Sequence, residues 1–399
     1  MKLYQINVEA NYGSTGKIAE ALGKAIQEDG GHAYLAHGRK HRASQLETYE
    51  VGNTLDYAVH FAKTRLSDQH GLASKNATKA LTKHITAVNP DLIHLHNIHG
   101  YYIHYPTLFN FLKTLKKPVV WTLHDCWSFT GHCTHFEQHD CHKWMTQCNH
   151  CPATKEYPSS FGIDNSDNNF KLKKQVFTNL PNLHLVPVSK WLANYVSQSF
   201  LQEYPINVIT NGIDLNTFNT IKEIKSDIKR SNYLAVASVW DTNKGFNDLL
   251  KIANLLQPHE QLTMVGLNKK QVQHLPPNII GIERTGNLQE LVKLYSNSDC
   301  FLNLSYADSY PTTIMEAMAC GLPVITYETG GCVEMVKSSL GAIVPQGDYN
   351  AALDKARHLI MSYNKHERTN NSRNHALLYF DQREQMASYK ELYKKLLQN

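Results

Sequence analysis

At 399 residues the chain exceeds what one core ordinarily organises, so two domains of roughly 200 residues are expected. Its net charge of +5, from 40 Lys+Arg against 35 Asp+Glu, is too mild and too dispersed to point to nucleic acid, and no nucleic-acid motif accompanies it. The opening MKLYQINVEANYG is polar where a secretory leader needs an apolar run, and no stretch of about 18 apolar residues follows, so a cytoplasmic protein with reduced or metal-bound cysteines is expected.

The first elements meet in VEANYGSTGKIAEALGKAI. Tyr4, Ile6 and Val8 alternate as a strand, Ile18, Leu22 and Ile26 recur at helical spacing, and Ser14 and Thr15 are placed as helix caps. A Walker loop is excluded, because Asn11 stands where its first glycine belongs and Ile18 where its hydroxyl belongs. A glycine turn before a helix N-terminus still favours an anion, and Gly13 and Gly16 permit close backbone approach; a plain tight turn is the alternative.

Further along, DLIHLH, PVVWTLH, HLVPVS and INVIT read as strands, and so do YLAVASV, LTMVG, NIIGIE, CFLNLS and PVITYE. Alternating with helical stretches, they predict parallel sheets covered by helices, in number enough for two sheets. FNFLKTLKKPVV sets Lys113, Lys116 and Lys117 beside Phe109, Phe111, Leu112 and Leu115, either a membrane-touching basic-apolar patch or an ordinary helix with one buried face. PVVWTLHD ends in His124-Asp125, which says little alone among 22 histidines. Just after it, Cys133, Cys141, Cys148 and Cys151 lie among His132, His135, His139, His142 and His150, a set of soft ligands suited to tetrahedral zinc, with unmetallated thiols as the alternative. Cys126, Cys300, Cys320 and Cys332 sit in apolar runs and read as small core residues.

The polar stretch Thr220 to Ser231 resembles a connector, with a domain boundary near residue 205. After it, VASVWDTNKGFNDLL carries Lys244-Gly245 between a strand and a helix, where a cation would offset diphosphate charge. CFLNLSYADSYPTTIMEAMACGLPVITYETGG reads strand, loop, helix, strand: Pro311 opens the helix, Gly321 closes it, and Glu316 lies one turn after Thr312. Asp308 sits in the preceding loop, so two carboxylates and a row of backbone N–H groups meet at the carboxyl edge of a parallel sheet. The final QREQMASYKELYKKLL is an amphipathic helix.

The stretch D-S-Y-P-T-T-I-M-E-A-M-A-C-G resembles the E-G-[FY]-P-x-x-x-x-E-A-x-A-x-G motif of the retaining, nucleotide-sugar-dependent glycosyltransferases of family 4. The glycine loop, His124-Asp125, VSKWLANYV and TNGIDLNTF resemble further landmarks of that family, so the likeness covers nearly the whole chain. It implies a GT-B fold, two Rossmann-like domains facing across an interdomain cleft: an acceptor-binding domain over 1–204, a donor-binding domain over 205–379, and a helix over 380–399 returning to the first. Glu316 would bind the donor ribose, Asp308 the donor sugar, Tyr310, Pro311, Thr312 and Thr313 the diphosphate, and His124 and Asp125 would face the transferred sugar, with Gly13 and Gly16 near the donor phosphates. Asp308 and Ser309 depart from the usual Glu and Gly, and Val239 and Asn243 stand where the family usually pairs a second base with Lys244.

The resemblance therefore implies a retaining hexosyltransferase-type enzyme that uses a nucleotide sugar, UDP-linked by family frequency, and needs no cofactor for catalysis. Its acceptor would be a saccharide, or a lipid-linked saccharide of exopolysaccharide or capsule assembly, handled at the inner face of the cell membrane. The cysteine segment and EYPSSFGIDNS are similar to an exopolysaccharide and colanic-acid subset of the family, which supports an ordered insert there. A GT-B-fold sugar-nucleotide epimerase and a non-catalytic nucleotide-sugar-binding scaffold are the alternatives.

Overall fold

The computed structural model describes residues 1–221 and 231–398, so most of the connector read at Thr220 to Ser231 lies outside the described residues. The chain divides into two compact units, one of residues 1–210 with 386–399 and one of residues 211–385.

The first unit runs β1 (Lys2–Ala10), α1 (Gly13–Glu28), β2 (His32–His41), β3 (Glu47–Glu50), α2 (Thr54–Ser67), α3 (Lys75–Val88), β4 (Leu92–Leu95) and α4 (Tyr105–Thr114). It continues through β5 (Val119–Leu123), α5 (Ser166–Phe177), β6 (Leu183–Pro187) and α6 (Lys190–Val196). Its six strands order as β3-β2-β1-β4-β5-β6, with parallel pairing throughout. Helices cover both faces, which is why β4 and β5 are buried at every position. Polar residues inside this sheet are matched: Gln5 donates to Ala19 O at 2.9 Å and meets His96 Nε2 at 3.1 Å.

The second unit runs β7 (Ser231–Val236), α7 (Phe246–Ala253), β8 (Glu260–Val265), α8 (Lys269–Gln273), β9 (Ile279–Ile282), α9 (Leu288–Asn297) and β10 (Cys300–Asn303). Then follow α10 (Thr312–Ala319), β11 (Val324–Tyr327), α11 (Cys332–Met335), β12 (Gly341–Val344), α12 (Tyr349–Ser362), α13 (Lys365–Tyr379) and α14 (Gln382–Gln398). Its sheet, β12-β11-β10-β7-β8-β9, repeats the order of the first when read from its other edge. In each sheet the strand order reverses between the first and fourth strands, and such a switch point opens a crevice at the carboxyl ends.

From Met386 on, α14 belongs to the first unit, where Met386, Tyr389 and Tyr393 pack with Leu22, Leu92 and Val120. The Tyr389 and Tyr393 hydroxyls meet Thr122 Oγ1 at 2.8 Å and His94 Nδ1 at 2.6 Å, so two large rings are buried with their polar ends matched.

Three local expectations change. INVIT forms no strand; it runs along the edge of β6 with a single bridge, Ile206 to Leu185, and hydrogen bonds from Asn207 N to Leu185 O at 3.0 Å and from Ile209 N to Pro187 O at 3.3 Å, too few for a continuous ladder. Ser14 and Thr15 lie inside the first turn of α1 rather than capping it: Tyr12 is the N-cap, without a side-chain bond, and Thr15 Oγ1 accepts instead from Asn7 at 3.3 Å. Pro311 is the N-cap of α10, one position before the helix. The strands β2, β3 and β12 carry too much polar or glycine-rich sequence to announce themselves.

Candidate functional site

At the switch point of the second sheet, the loop after β7 and the loop after β10 stand side by side. Gly245 closes the first loop at φ +72°, and a Cβ there would lie 2.1 Å from Leu304 O, so only glycine lets the two loops touch. Asn243 O accepts from Tyr306 N at 2.7 Å across the same contact. Lys244 N donates to Asp241 Oδ1 at 3.0 Å, and its side chain reaches Asp308 Oδ2 at 2.5 Å. Burial pulls the Lys244 ammonium down, but the Asp308 charge and hydrogen bond outweigh it and leave the group above its ordinary value. Gly330, at φ +50°, would place a Cβ 1.9 Å from Asp308 O, and Gly331 N donates to that oxygen at 3.2 Å, which fixes the backbone under the carboxylate.

From Asp308 the chain passes Tyr310, whose carbonyl accepts from Asn211 Nδ2 at 3.0 Å, and enters α10 without a side-chain cap. The first N–H groups of α10, at Thr312 and Thr313, thus keep their donor character and the positive end of the helix. Glu316 follows one turn later, half-buried, and accepts from Tyr295 Oη at 3.0 Å. The structure therefore brings together Lys244, Asp308 and the start of α10, all expected from sequence, and adds Tyr295 as the partner that orients Glu316.

His124 and Asp125, at the carboxyl end of β5, belong to the first unit, as do Gly13 and Gly16. Asp125 Oδ2 pairs with His99 Nε2 at 2.9 Å, and Asp125 Oδ1 accepts from Trp127 N at 2.9 Å. Burial alone would raise the Asp125 carboxyl, but His99 and these hydrogen bonds hold it down at about 2, so it is ionised at neutral pH. His124 contacts His96 Nδ1 at 3.4 Å, and burial, partly opposed by Asp125, lowers it to about 4, so it is neutral there. His99 also meets the Tyr157 hydroxyl at 3.4 Å. Sequence reasoning missed His96, His99 and Tyr157; the signal for the first two lay in His96 ending DLIHLH and His99 in the NIHG directly after it, at the end of the strand that neighbours β1 at the switch point.

The glycine loop beneath them is tight. Gly13 begins α1 at φ +63°, and Glu9 Oε2 lies 2.7 Å from where its Cβ would be. Burial raises the Glu9 carboxyl against the opposing pull of Lys40 and Arg39.

Cys133, Cys141, Cys148 and Cys151, with His132, line one small cavity of about 10 Å³. The Cys133 and Cys151 thiols hydrogen-bond to each other, and Cys148 Sγ accepts from Gly131 N at 3.3 Å. His132 is engaged by Asp68 at 2.5 Å, and His139 by Glu156 at 2.5 Å. Among the described residues no group of three or more His, Cys, Asp or Glu side chains is arranged to hold a metal ion. Cys126, Cys300, Cys320 and Cys332 are buried in the cores. In FNFLKTLKK, Phe109 and Leu112 are fully buried and Phe109 packs on Trp121 and Phe177, so this segment is an ordinary packed helix.

The family model described as Glycosyltransferase Family 4 matches residues 16–217, and that described as Glycosyl transferases group 1 matches residues 230–362. WcaC of Escherichia coli strain K12, named as a colanic acid biosynthesis glycosyl transferase, is 24% identical over 267 residues, 64% of each chain. The N,N'-diacetylbacillosaminyl-diphospho-undecaprenol alpha-1,3-N-acetylgalactosaminyltransferase of Campylobacter jejuni is 23% identical over 224 residues, 52% of this chain and 59% of its own. The chain thus spans 64% and 59% of the length of these two relatives. Sucrose-phosphate synthase from Thermosynechococcus elongatus shares the fold at a TM-score of 0.75 and 16% identity, over 99% of this chain and 98% of its own. HepE from Anabaena, solved in complex with UDP-glucose, does so at 0.66 and 14% identity, over 99% of this chain and 100% of its own. Two parallel six-stranded sheets of the same strand order, together with this likeness, give the GT-B fold.

Proposed function

We propose, from the premise that this chain belongs to glycosyltransferase family 4, that it moves a sugar from a UDP-linked donor to a saccharide acceptor with retention at the anomeric carbon. The observation that carries the reading is the grouping of Lys244, Asp308 and the uncapped start of α10 at a switch point, with Glu316 one turn along. Glu316 takes the ribose hydroxyls, the N–H groups at Thr312 and Thr313 take the diphosphate, and Lys244 meets the charge that grows as the diphosphate departs. Asp308, freed from Lys244 as the diphosphate claims that cation, takes a hydroxyl of the donor sugar.

The acceptor hydroxyl attacks the anomeric carbon from the face that the diphosphate leaves, through an oxocarbenium-like transition state. The new C–O bond forms as the C–O bond to phosphate breaks, and the acceptor proton passes to the leaving diphosphate oxygen. Ionised Asp125 and neutral His124 orient hydroxyls of the transferred sugar. Charge compensation rests on Lys244 and the helix end, so turnover should persist in EDTA.

For the acceptor we propose a lipid-linked saccharide of exopolysaccharide assembly, worked on at the inner face of the membrane. The support is the Campylobacter relative, whose name states a diphospho-undecaprenol substrate. No described helix is long and apolar enough to cross a membrane.

Calorimetric titration of UDP, GDP and ATP in EDTA tests the donor site. UDP should bind selectively, and Glu316→Gln should weaken it at least about tenfold, the loss of one charged hydrogen-bond partner. Equal UDP affinity in the variant would overturn the assignment. Release of UDP that quickens with acceptor separates a transferase from an epimerase, which interconverts sugars, and from a scaffold, which only binds.

Structural zinc at Cys133, Cys141, Cys148 and Cys151 is a separate proposal, supported by the four cysteines lining one cavity; binding would draw their thiols into a tetrahedral set that the described side chains do not form. About one equivalent of zinc in purified protein is expected, lost together with folded-state stability on Cys148→Ser. Less than about a tenth of an equivalent would leave plain thiols.

A further inference from the structure

We propose that the first unit holds a subsite for an anionic amphiphile, a lipid-linked diphosphate, made by Arg39 and Arg65 on either side of Tyr101 and by the outward apolar face of α2. The proposal rests on the reading that the acceptor is lipid-linked.

The helix α2 is built inside out. Its buried residues are the polar His60 and Thr64, while Leu55 is 72% exposed, Val59 48% and Leu66 68%. On a helix these three fall along one stripe, the pattern by which an ordinary surface helix meets its core. Phe161, 74% exposed, and Ile163, 59% exposed, extend the face, since Phe161 N donates to Arg65 O at 2.8 Å. Exposed apolar residues gathered in this way mark a binding surface more often than an ordinary one.

Beside this face lie two arginines with unspent donors. The Arg65 guanidinium sits over the Phe61 and Phe161 rings at 4.8 and 5.1 Å, and that of Arg39 over the Tyr57 and Tyr101 rings at 5.4 Å each. Arg39 donates to the Tyr57 hydroxyl and Arg65 to Ser159, yet the Nε of each is buried without a partner. A buried donor without a partner is unfavourable, and an oxyanion would satisfy it. Tyr101 joins the two, hydrogen-bonding to Arg65 and standing at φ +74° after Gly100 at φ +116°. Backbone strain of this kind in a tyrosine persists where the surroundings impose it, commonly at a ligand site. Lys63, exposed on α2, adds positive charge to the rim.

The cluster also leads to the acceptor side of the reaction. The Tyr101 ring lies 6.2 Å from that of Tyr157, whose hydroxyl meets His99, the partner of Asp125. An extended amphiphile fits this order: hydrocarbon on α2, diphosphate at the arginines, saccharide toward Asp125. Charge complementarity and continuity with Asp125 both favour that occupant over a neutral one.

Farnesyl diphosphate is the probe, titrated into the full chain beside inorganic pyrophosphate. It should bind at least about tenfold more tightly than pyrophosphate. The double change Arg39→Gln with Arg65→Gln should weaken both probes at least about tenfold, while Leu66→Ser with Phe161→Ser should weaken only farnesyl diphosphate. UDP affinity, read on the same samples, should be unchanged in both and reports the second unit as folded. Equal affinity for the two probes, or affinity indifferent to the variants, overturns the proposal. Retention on phosphatidylglycerol vesicles that farnesyl diphosphate does not displace would give the face to the bilayer, and a dimer that only the serine variants dissociate would give it to a second copy; either overturns it. Transfer to a lipid-linked acceptor that survives the arginine changes removes this subsite and leaves the transferase reading standing, whereas absence of UDP binding strikes the transferase reading alone.

Discussion

Lys244 is the residue on which the proposed chemistry turns, and its surroundings say why a single cation could serve where a basic pair is more usual. It is held at the backbone by Asp241, followed by a glycine that lets it sit against the strand-end loop, and paired with Asp308 at 2.5 Å. A cation positioned in advance does not have to be reorganised as charge develops on the leaving group. Lys244→Ala should therefore lower kcat by about 100-fold or more while changing UDP affinity by less than about tenfold; steady-state rates set against calorimetry decide it, and equal losses in both would make Lys244 a binding residue only. The motif around Asp308 and Glu316 was legible because spacing within one loop and one helix is local. The pairing of Asp125 with His99, 26 residues away, was not, since it depends on β4 and β5 being neighbours in the sheet.

At the scale of elements, β4 and β5 gather histidines at their carboxyl ends and bury them neutral. Burial lowers His124 to about 4 and His104, at the start of α4, also to about 4, and pushes His70, His94 and His96 well below the ordinary value. Each takes up a proton on unfolding that it refuses when folded, so the unfolded chain binds more protons between the unfolded value near 6.5 and the lower folded values. Their contribution is fully present above about pH 6.5 and is lost as pH falls toward 4. The unfolding midpoint should drop by at least about 5 °C between pH 7 and pH 5, and His124→Asn should blunt the drop. A flat profile would mean that these histidines are protonated in the native state. The inverted α2 illustrates the reverse limit of local reading: Leu55, Val59 and Leu66 have core-like spacing, and only the fold shows that the core lies on the other side.

At the scale of the whole molecule, the same strand order occurs twice, each time with functional candidates at the reversal: the glycine loop and His99 in one unit, Lys244 and Asp308 in the other. The last residues of the chain complete the first core, where Tyr389 and Tyr393 are 0% exposed. Burying each ring contributes roughly 1.5–3 kcal/mol or more, a large share of a domain's net stability. A chain ending at Gln385 should therefore lose amide-exchange protection throughout residues 1–210 while residues 211–385 keep theirs, as hydrogen exchange would read residue by residue. Protection retained in residues 1–210 would show that α14 covers the core without being needed by it.

Taken by itself, the sequence determined the class of fold, the family and the placing of Asp308 and Glu316 around the start of one helix, because periodicity, turn chemistry and motif spacing are properties of neighbours along the chain. It could not determine which side of α2 faces inward, that INVIT would form no strand, or that Arg39 and Arg65 meet at Tyr101 and His99 meets Asp125. Those were decided by strand order and packing, which join residues distant in sequence and settle what each side chain meets.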